Sequence, residues 1–284
     1  MLPRSRQICR HLRGWSRVKL LLATASITRP WSASLCRPVL RMLSEGGRLG
    51  VRFSLHDQER QAYLRLSELP FDLQSFMELA VGDCYRLVEL PAPDLIIDGG
   101  GNTGMFLLAA QARWPAARLI SCEPVPQNLE LLREHVELNR LSVDTLGVCL
   151  GGKSGEASFY CREANQGSFT SDLAYDRVIS VGVIPLSQIC RPQMHERTLI
   201  KLDIEGAEVE VLEEFLERDW SRTIIVGELH GQSHSRRRLG PLLKRRGWTG
   251  RLFDVSEHCA QFHLFSPDHS HTPNTFPSEA FCPA

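Results

Sequence analysis

The sequence predicts an α/β fold: an open, mostly parallel sheet with helices on both faces. Three observations predict it. From Asp94 onward short apolar runs alternate with longer amphipathic stretches, the rhythm of βα units. A glycine cluster, Gly99 to Gly101, follows the first apolar run directly. The later runs end in acids, at Glu123, Asp203 and Glu228, so one sheet edge gathers carboxylates.

The elements follow in order. Residues 45–93 are mixed: GVRFSL reads as a strand, and PFDLQSFMELAVGDCY as a helix with Leu73, Phe76, Met77 and Ala80 on one face. This stretch is expected to be a cap preceding the main domain. LIID is a buried strand, and TGMFLLAAQARW is a helix stopped by Pro115. ARLISCE is a strand and VPQNLELLREHVELNR a helix with Pro126 in its first turn, where a missing N–H costs nothing. Asn128 and Asn139 are read as surface residues of that helix. VDTLGVCLGG and EASFYC are strands around the Gly151-Gly152 turn. RTLIKLD is a strand, AEVEVLEEFLER a helix, and RTIIVGEL another strand. GPLLKRRGW is a last helix, and RLFDV and FHLFS are closing strands.

The expected domain plan is a basic extension over 1–44, the cap over 45–93, a ligand-binding domain over 94–266 and a tail over 267–284. The formal net charge is zero, yet residues 1–44 hold nine Lys or Arg and no acid, so the remainder carries −9 by count. Nothing in this mildly acidic body suggests a nucleic-acid footprint. The Arg- and Ser-rich extension fits an organellar transit peptide, a basic helix lying on an anionic membrane, or a loosely docked terminus. Its apolar run VKLLLATASI is too short to span a bilayer. A cytoplasmic location is expected, with organellar import or peripheral membrane contact as the alternatives. The nine cysteines contain no C-x-x-C pair, which points to buried free thiols rather than a disulfide framework or zinc site.

The glycine loop has two readings. Gly99-x-Gly101-x-x-Gly104 is the spacing that cradles a dinucleotide pyrophosphate, whereas Asp98-x-Gly100-x-x-x-Gly104 is a turn with a carboxylate at its mouth. A carboxylate beside a pyrophosphate is repulsive by several kcal/mol in a partly buried cleft. S-adenosylmethionine instead presents an ammonium and a sulfonium, which an acidic turn suits. Glu123, 25 residues after Asp98, ends the next strand and is placed to accept the ribose hydroxyls of an adenosine-type cofactor. No Gly-Lys-Ser/Thr lies in this turn, and Gly152-Lys153-Ser154 leads into the strand EASFYC rather than a helix, which counts against a nucleoside-triphosphate loop.

A further constellation is IKLDIEGAEVEVL, in which Lys201, Asp203 and Glu205 alternate outward from an apolar strand ahead of a helix. TIIVGELHG brings Glu228 and His230 to the same edge. Acids at a helix start can simply cap it. Acid and histidine together can also take a proton from a hydroxyl, or hold a divalent cation.

Taken together, LIIDGGGNTGMF, ISCEPVPQNLELLREHVELN, LGGKSGEASFY, NQGSF, LIKLDIEGAEVEVLEEFLE and TIIVGELHG resemble the FkbM family of S-adenosylmethionine-dependent methyltransferases, over roughly Phe71 to His230. The resemblance implies a Rossmann-like class I methyltransferase sheet of seven strands with its last strand antiparallel. It implies O-methylation of a hydroxyl on a sugar, lipid or other small-molecule acceptor. It matches Asp98, Gly100, Asn102 and Gly104 to the cofactor loop, Glu123 to the ribose acid, and Asp203 and Glu205 to the family's acidic segment. Asp203, Glu205, Glu228 and His230 are the candidates for acceptor chemistry, as a base or as metal ligands. The competing functions are an NAD(P)-dependent oxidoreductase, against which Asp98 and the lack of a Tyr-x-x-x-Lys pair both count, and a non-catalytic binding module of the same fold.

Overall fold

The structure, a computed structural model, describes residues 18–21, 36, 38–161, 167–168, 175–191, 196–230, 232–253 and 259–268. Most of the basic extension and the tail after Asp268 lie outside the described residues. The chain divides into two compact units, the first of Met1–Leu90, Asn102–Pro115 and Glu130–Ser142, the second of Pro91–Gly101, Ala116–Leu129 and Val143–Ala284.

The first unit opens with an antiparallel hairpin, β1 (Arg48–Leu55) and β2 (Gln58–Arg65). Alternation along β1 buries Leu49, Val51, Phe53 and Leu55. The second strand was not predicted, because QERQAYLR carries too many polar residues to read as an apolar run; only Ala62 and Leu64 reach the core. Helix α1 (Leu69–Ser75) passes directly into a π-helical turn, Phe76–Val81. Leu73, Phe76, Met77 and Ala80 are all buried, and Phe76 meets Phe53 edge to face at 4.8 Å. Asp72 binds back to Arg65, accepting from its backbone N–H at 2.7 Å and from its guanidinium at 2.6 Å. Helix α2 (Met105–Arg113) adds Met105, Leu108 and Ala112 to the same core. Helix α3 (Pro126–Leu138) contributes its residues from Glu130 onward to this unit.

The second unit carries the main sheet. Its strands are β3 (Leu95–Gly99), β4 (Arg118–Cys122), β5 (Val143–Leu146), β10 (Thr198–Leu202), β11 (Thr223–His230), β12 (Thr249–Phe253) and β13 (Cys259–Phe265). They lie in the order β12-β13-β11-β10-β3-β4-β5. Six strands share one direction, and β13, lying between β11 and β12, runs antiparallel to both, which is the class I methyltransferase arrangement. β3 and β10 have every residue buried, as expected of central parallel strands. The chain order reverses between β3 and β10, so the carboxyl ends of these two strands form the switch point where such sheets bind ligands.

A second, four-stranded sheet is formed by β6 (Val148–Leu150), β7 (Gly155–Cys161), β8 (Gly167–Ser168) and β9 (Arg177–Ile184). The predicted strand VDTLGVCLGG therefore divides at Gly147, its first half joining the main sheet and its second half this smaller one. Strand β9 escaped prediction altogether. Helices α4 (Leu186–Ile189), α5 (Glu208–Leu216) and α6 (Gln232–Arg245) share one core with the main sheet. Helix α6 begins well before the Gly240-Pro241 pair expected to start it, and Pro241 lies inside it; buried Leu239, Leu242 and Leu243 hold both sides of the proline. The seven described cysteines are free thiols, five of them buried, and burial pushes the Cys149 and Cys190 thiols up to about 12.

Phe215 is fully buried in this core and stacks flat on Trp220 at 4.2 Å. Phe215→Ala is expected to cost about 3–5 kcal/mol, read as a fall in the urea unfolding midpoint at unchanged slope.

Candidate active site

The glycine turn begins where β3 stops. Gly100 is left-handed at φ 79°, and a Cβ there would stand 2.0 Å from the Asp203 carbonyl oxygen, so no other residue fits. Gly100 and Gly101 both donate their N–H groups to the Cys122 carbonyl, at 3.1 and 2.9 Å. The Asp203 N–H donates to the Gly99 carbonyl at 3.2 Å. The turn is thereby stitched to the ends of β4 and β10. Asn102 and Gly104, at φ 47° and 84°, make the two further left-handed steps that lead into α2.

Asp98 does not stand at the mouth of this turn. It is fully buried, accepts from Ser121 Oγ at 3.1 Å and pairs with Lys201 Nζ at 3.2 Å. Lys201 does not point outward either: it is 2% exposed and donates to the Gly99 and Gly100 carbonyls at 3.2 and 2.6 Å. The parallel register sets Lys201 directly beside Asp98, and Asp98 beside Ser121. Burial pushes the Asp98 carboxyl up and Lys201 holds it down. Burial disfavours the Lys201 ammonium, but Asp98, Asp203 and Glu123 outweigh it and keep it charged. Contrary to the expectation from sequence, the loop's own carboxylate does not select a cation, because Lys201 balances its charge. Glu123 is buried just past the end of β4, and its Oε1 accepts the Val125 N–H at 2.9 Å.

The acidic edge is organised by a residue the sequence reading did not single out. Glu208, at the start of α5, turns back and accepts the N–H groups of Ile204 and Gly206 at 3.1 Å each. It caps the turn between β10 and α5, which frees Asp203 and Glu205 from that task. Glu205 itself adopts φ 57°, a left-handed conformation that costs a side-chain-bearing residue on the order of 1 kcal/mol. Glu208 also pairs with His230 Nδ1 at 3.0 Å, while His230 Nε2 lies 3.8 Å from Glu205. Burial lowers the His230 pKa, but Glu208, Glu205 and Asp203 more than reverse this and raise it to about 9. At neutral pH His230 is an imidazolium, so in this state a carboxylate, and not the ring, is the group able to accept a proton.

Asp203, Glu205 and His230 bring ligand atoms within 4.8 Å of one another, and so do Glu228, His230 and Cys259. Both sets suit a divalent cation and share one imidazole. Glu228 accepts from Cys259 Sγ and from Gln261 Nε2, each at 3.3 Å.

Two asparagines read as surface groups are not. Asn128 is 2% exposed. Asn139 is half-buried and clasps Gln61, accepting its N–H at 2.8 Å and donating to its carbonyl at 2.7 Å. One turn earlier on α3, buried His135 accepts the Tyr63 N–H at Nε2 (2.8 Å) and donates from Nδ1 to the Thr103 carbonyl (2.7 Å). Burial lowers the His135 pKa, which keeps the ring neutral for these two opposite roles. No periodicity marks such a residue, since a histidine at an inward helical position reads as polar.

His230 sets a pH dependence. Its folded pKa is raised above the ordinary 6.5, so its stabilisation is complete below about pH 6.5 and disappears as pH rises through about 9. With chelator present, unfolding free energy should fall over that interval by at most about 3 kcal/mol. Glu208→Gln should bring the His230 NMR titration back toward 6.5; an unmoved midpoint contradicts the pairing.

Residues 98–266 match the Methyltransferase FkbM domain family. The chain is 26% identical over 244 residues to Methyltransferase sdnD of Sordaria araneosa, covering 73% of this chain and 92% of that one. It is 24% identical over 209 residues to 31-O-demethyl-FK506 methyltransferase FkbM of Streptomyces tacrolimicus, covering 61% and 80%. Among solved structures it resembles methyltransferase FkbM from Methylobacillus flagellatus KT, at 16% identity and TM-score 0.47, with 83% of this chain and 60% of that one covered. The matched segment runs from the buried Asp98 to the end of the antiparallel closing strand, and the chain belongs to the FkbM family of methyltransferases.

Proposed function

We propose that the protein is an S-adenosylmethionine-dependent O-methyltransferase acting on a hydroxyl of a small-molecule, sugar or lipid acceptor. The observation that carries this reading is the double anchoring of the glycine turn on the Cys122 carbonyl, which sets its backbone beside Glu123 at the switch point. A glycine turn next to a strand-end carboxylate suits an adenosine-bearing cofactor, with the ribose hydroxyls on Glu123. Gly100, Asn102 and Gly104 shape the loop. Asp98 acts at one remove, holding the lysine that binds the loop carbonyls.

The cationic half of the cofactor is then matched by the edge acids rather than by Asp98. Among the described residues, the formal negative charges of Asp203, Glu205, Glu208 and Glu228 outnumber the one positive charge of His230. A dinucleotide pyrophosphate is disfavoured there. Asp203, the first residue past β10, and Glu205 are the groups that take the hydroxyl proton as the oxygen attacks the S-methyl carbon. Positioning of acceptor against methyl supplies the remainder of the acceleration. A divalent cation fits the same donors and, when bound, would lower the acceptor hydroxyl pKa. No helix among the described residues is long and apolar enough to cross a membrane. Peripheral contact through the basic extension remains part of this reading, tested by sedimentation with anionic vesicles.

Calorimetry provides the first test. S-adenosylhomocysteine should bind and NAD should not; the reverse result refutes the reading. Glu123→Ala should weaken S-adenosylhomocysteine at least tenfold, since each charge-assisted bond lost is worth roughly 1.5–3 kcal/mol. Asp203→Asn keeps the shape and removes the charge. It should lower turnover about 10²–10⁴-fold, far more than it weakens cofactor binding, and a parental rate would make the acid structural.

A further inference from the structure

We infer that the β11–β13 end of the acidic edge is a binding site for a thiophilic divalent cation of the zinc class, held by Cys259, His230 and Glu228. The sheet register itself assembles the donors. His230 is paired with Cys259 and Glu228 with Gln261 across two antiparallel strands, so alternation brings all four side chains to one face. The Cys259, His230 and Glu228 ligand atoms lie within 4.8 Å of one another, all on half-buried residues. Tetrahedral zinc with bonds of roughly 2.0–2.3 Å holds its ligands roughly 3.3–3.8 Å apart, so side-chain movements of about 1 Å close the set.

Three features point to a metal rather than to a fortuitous cluster. Glu208 takes His230 Nδ1 at 3.0 Å, the carboxylate–histidine arrangement that turns the other ring nitrogen toward a metal and raises its basicity. Among the described residues the carboxylates of Asp203, Glu205, Glu208 and Glu228 cluster around His230, a setting that attracts a dication. Cysteine then decides the class of ion. A sulfur ligand favours zinc-like ions, whereas magnesium and calcium take oxygen. The neighbouring acids Asp203 and Glu205 are on hand to complete the coordination, since they share His230. Binding displaces a proton: zinc adds to sulfur as the Cys259 thiol releases its hydrogen to solvent. The connection to methyl transfer rests on the function proposed above; the binding does not.

Cobalt(II), a spectroscopic stand-in for zinc, provides the test on the full-length reduced protein. Titration should give saturable visible bands together with a near-ultraviolet sulfur-to-cobalt charge-transfer band, both removed by stoichiometric zinc. Zinc addition in weak buffer should release at least one proton per ion, read by an indicator dye. Cys259→Ser, a conservative change at a half-buried strand end, should abolish the charge-transfer band and weaken zinc at least tenfold. Absence of saturable cobalt binding overturns the inference, as does a charge-transfer band that survives Cys259→Ser. Visible bands without sulfur charge transfer also overturn it, by leaving only an oxygen–nitrogen site. S-adenosylhomocysteine calorimetry on the same sample keeps the two proposals apart: a sample that binds the cofactor product without the sulfur band refutes the metal site alone.

Discussion

Two charges sealed between adjacent central strands set the terms for the rest of this site. Lys201 and Asp98 sit side by side in the β3–β10 register with virtually no exposure, at the switch point of the sheet. Neither is tolerable there alone, since breaking a buried pair by removing one partner costs about 3–5 kcal/mol. The pair is not used for stability alone. The lysine spends its remaining donors on the Gly99 and Gly100 carbonyls, and so fixes the backbone of the turn that would face a cofactor. The close approach of Gly100 to the Asp203 carbonyl completes the clamp from the other side. Loop geometry, strand pairing and charge balance are one arrangement.

With Asp98 neutralised, the negative field lies further along the edge. Glu208 is its organiser: one carboxylate caps the β10–α5 turn and also orients His230. Because that task falls to Glu208, Asp203 and Glu205 are left facing the edge, and Glu205 is held in a left-handed conformation that local preference alone does not favour. Such strain persists where the surroundings dictate it, and it commonly accompanies function. The edge therefore has a fixed imidazolium flanked by carboxylates, suited to attracting cationic groups and to receiving a proton on oxygen.

Much of this was legible in the chain. Strand–helix alternation from Asp94 gave the parallel sheet, because strands such as LIID and TLIKL are mostly apolar runs bounded by turn residues. The positions of Glu123, Asp203, Glu228 and His230 at strand ends were readable for the same reason. What escaped was whatever depends on pairing between distant segments. QERQAYLR hides its two core contacts among polar residues, and RVISVGVI belongs to a second sheet that no periodicity announces. Lys201 looked like an outward charge because its partner lies about a hundred residues earlier. Asn128 and His135 looked polar and therefore exposed, whereas one is buried and the other bridges Tyr63 and Thr103. Cys259 joins the edge only through the antiparallel register with His230, which sequence spacing does not contain.

The central claim is that a charged lysine is locked inside the sheet against Asp98 and the glycine-turn carbonyls. Nitrogen-15 NMR of the lysine side chains tests it most directly, with Lys201→Met used to assign the signal. The account predicts a Lys201 ζ-ammonium resonance with protons slow to exchange, persisting unchanged to pH 9. A neutral-amine shift, or exchange as fast as that of surface lysines, would contradict it.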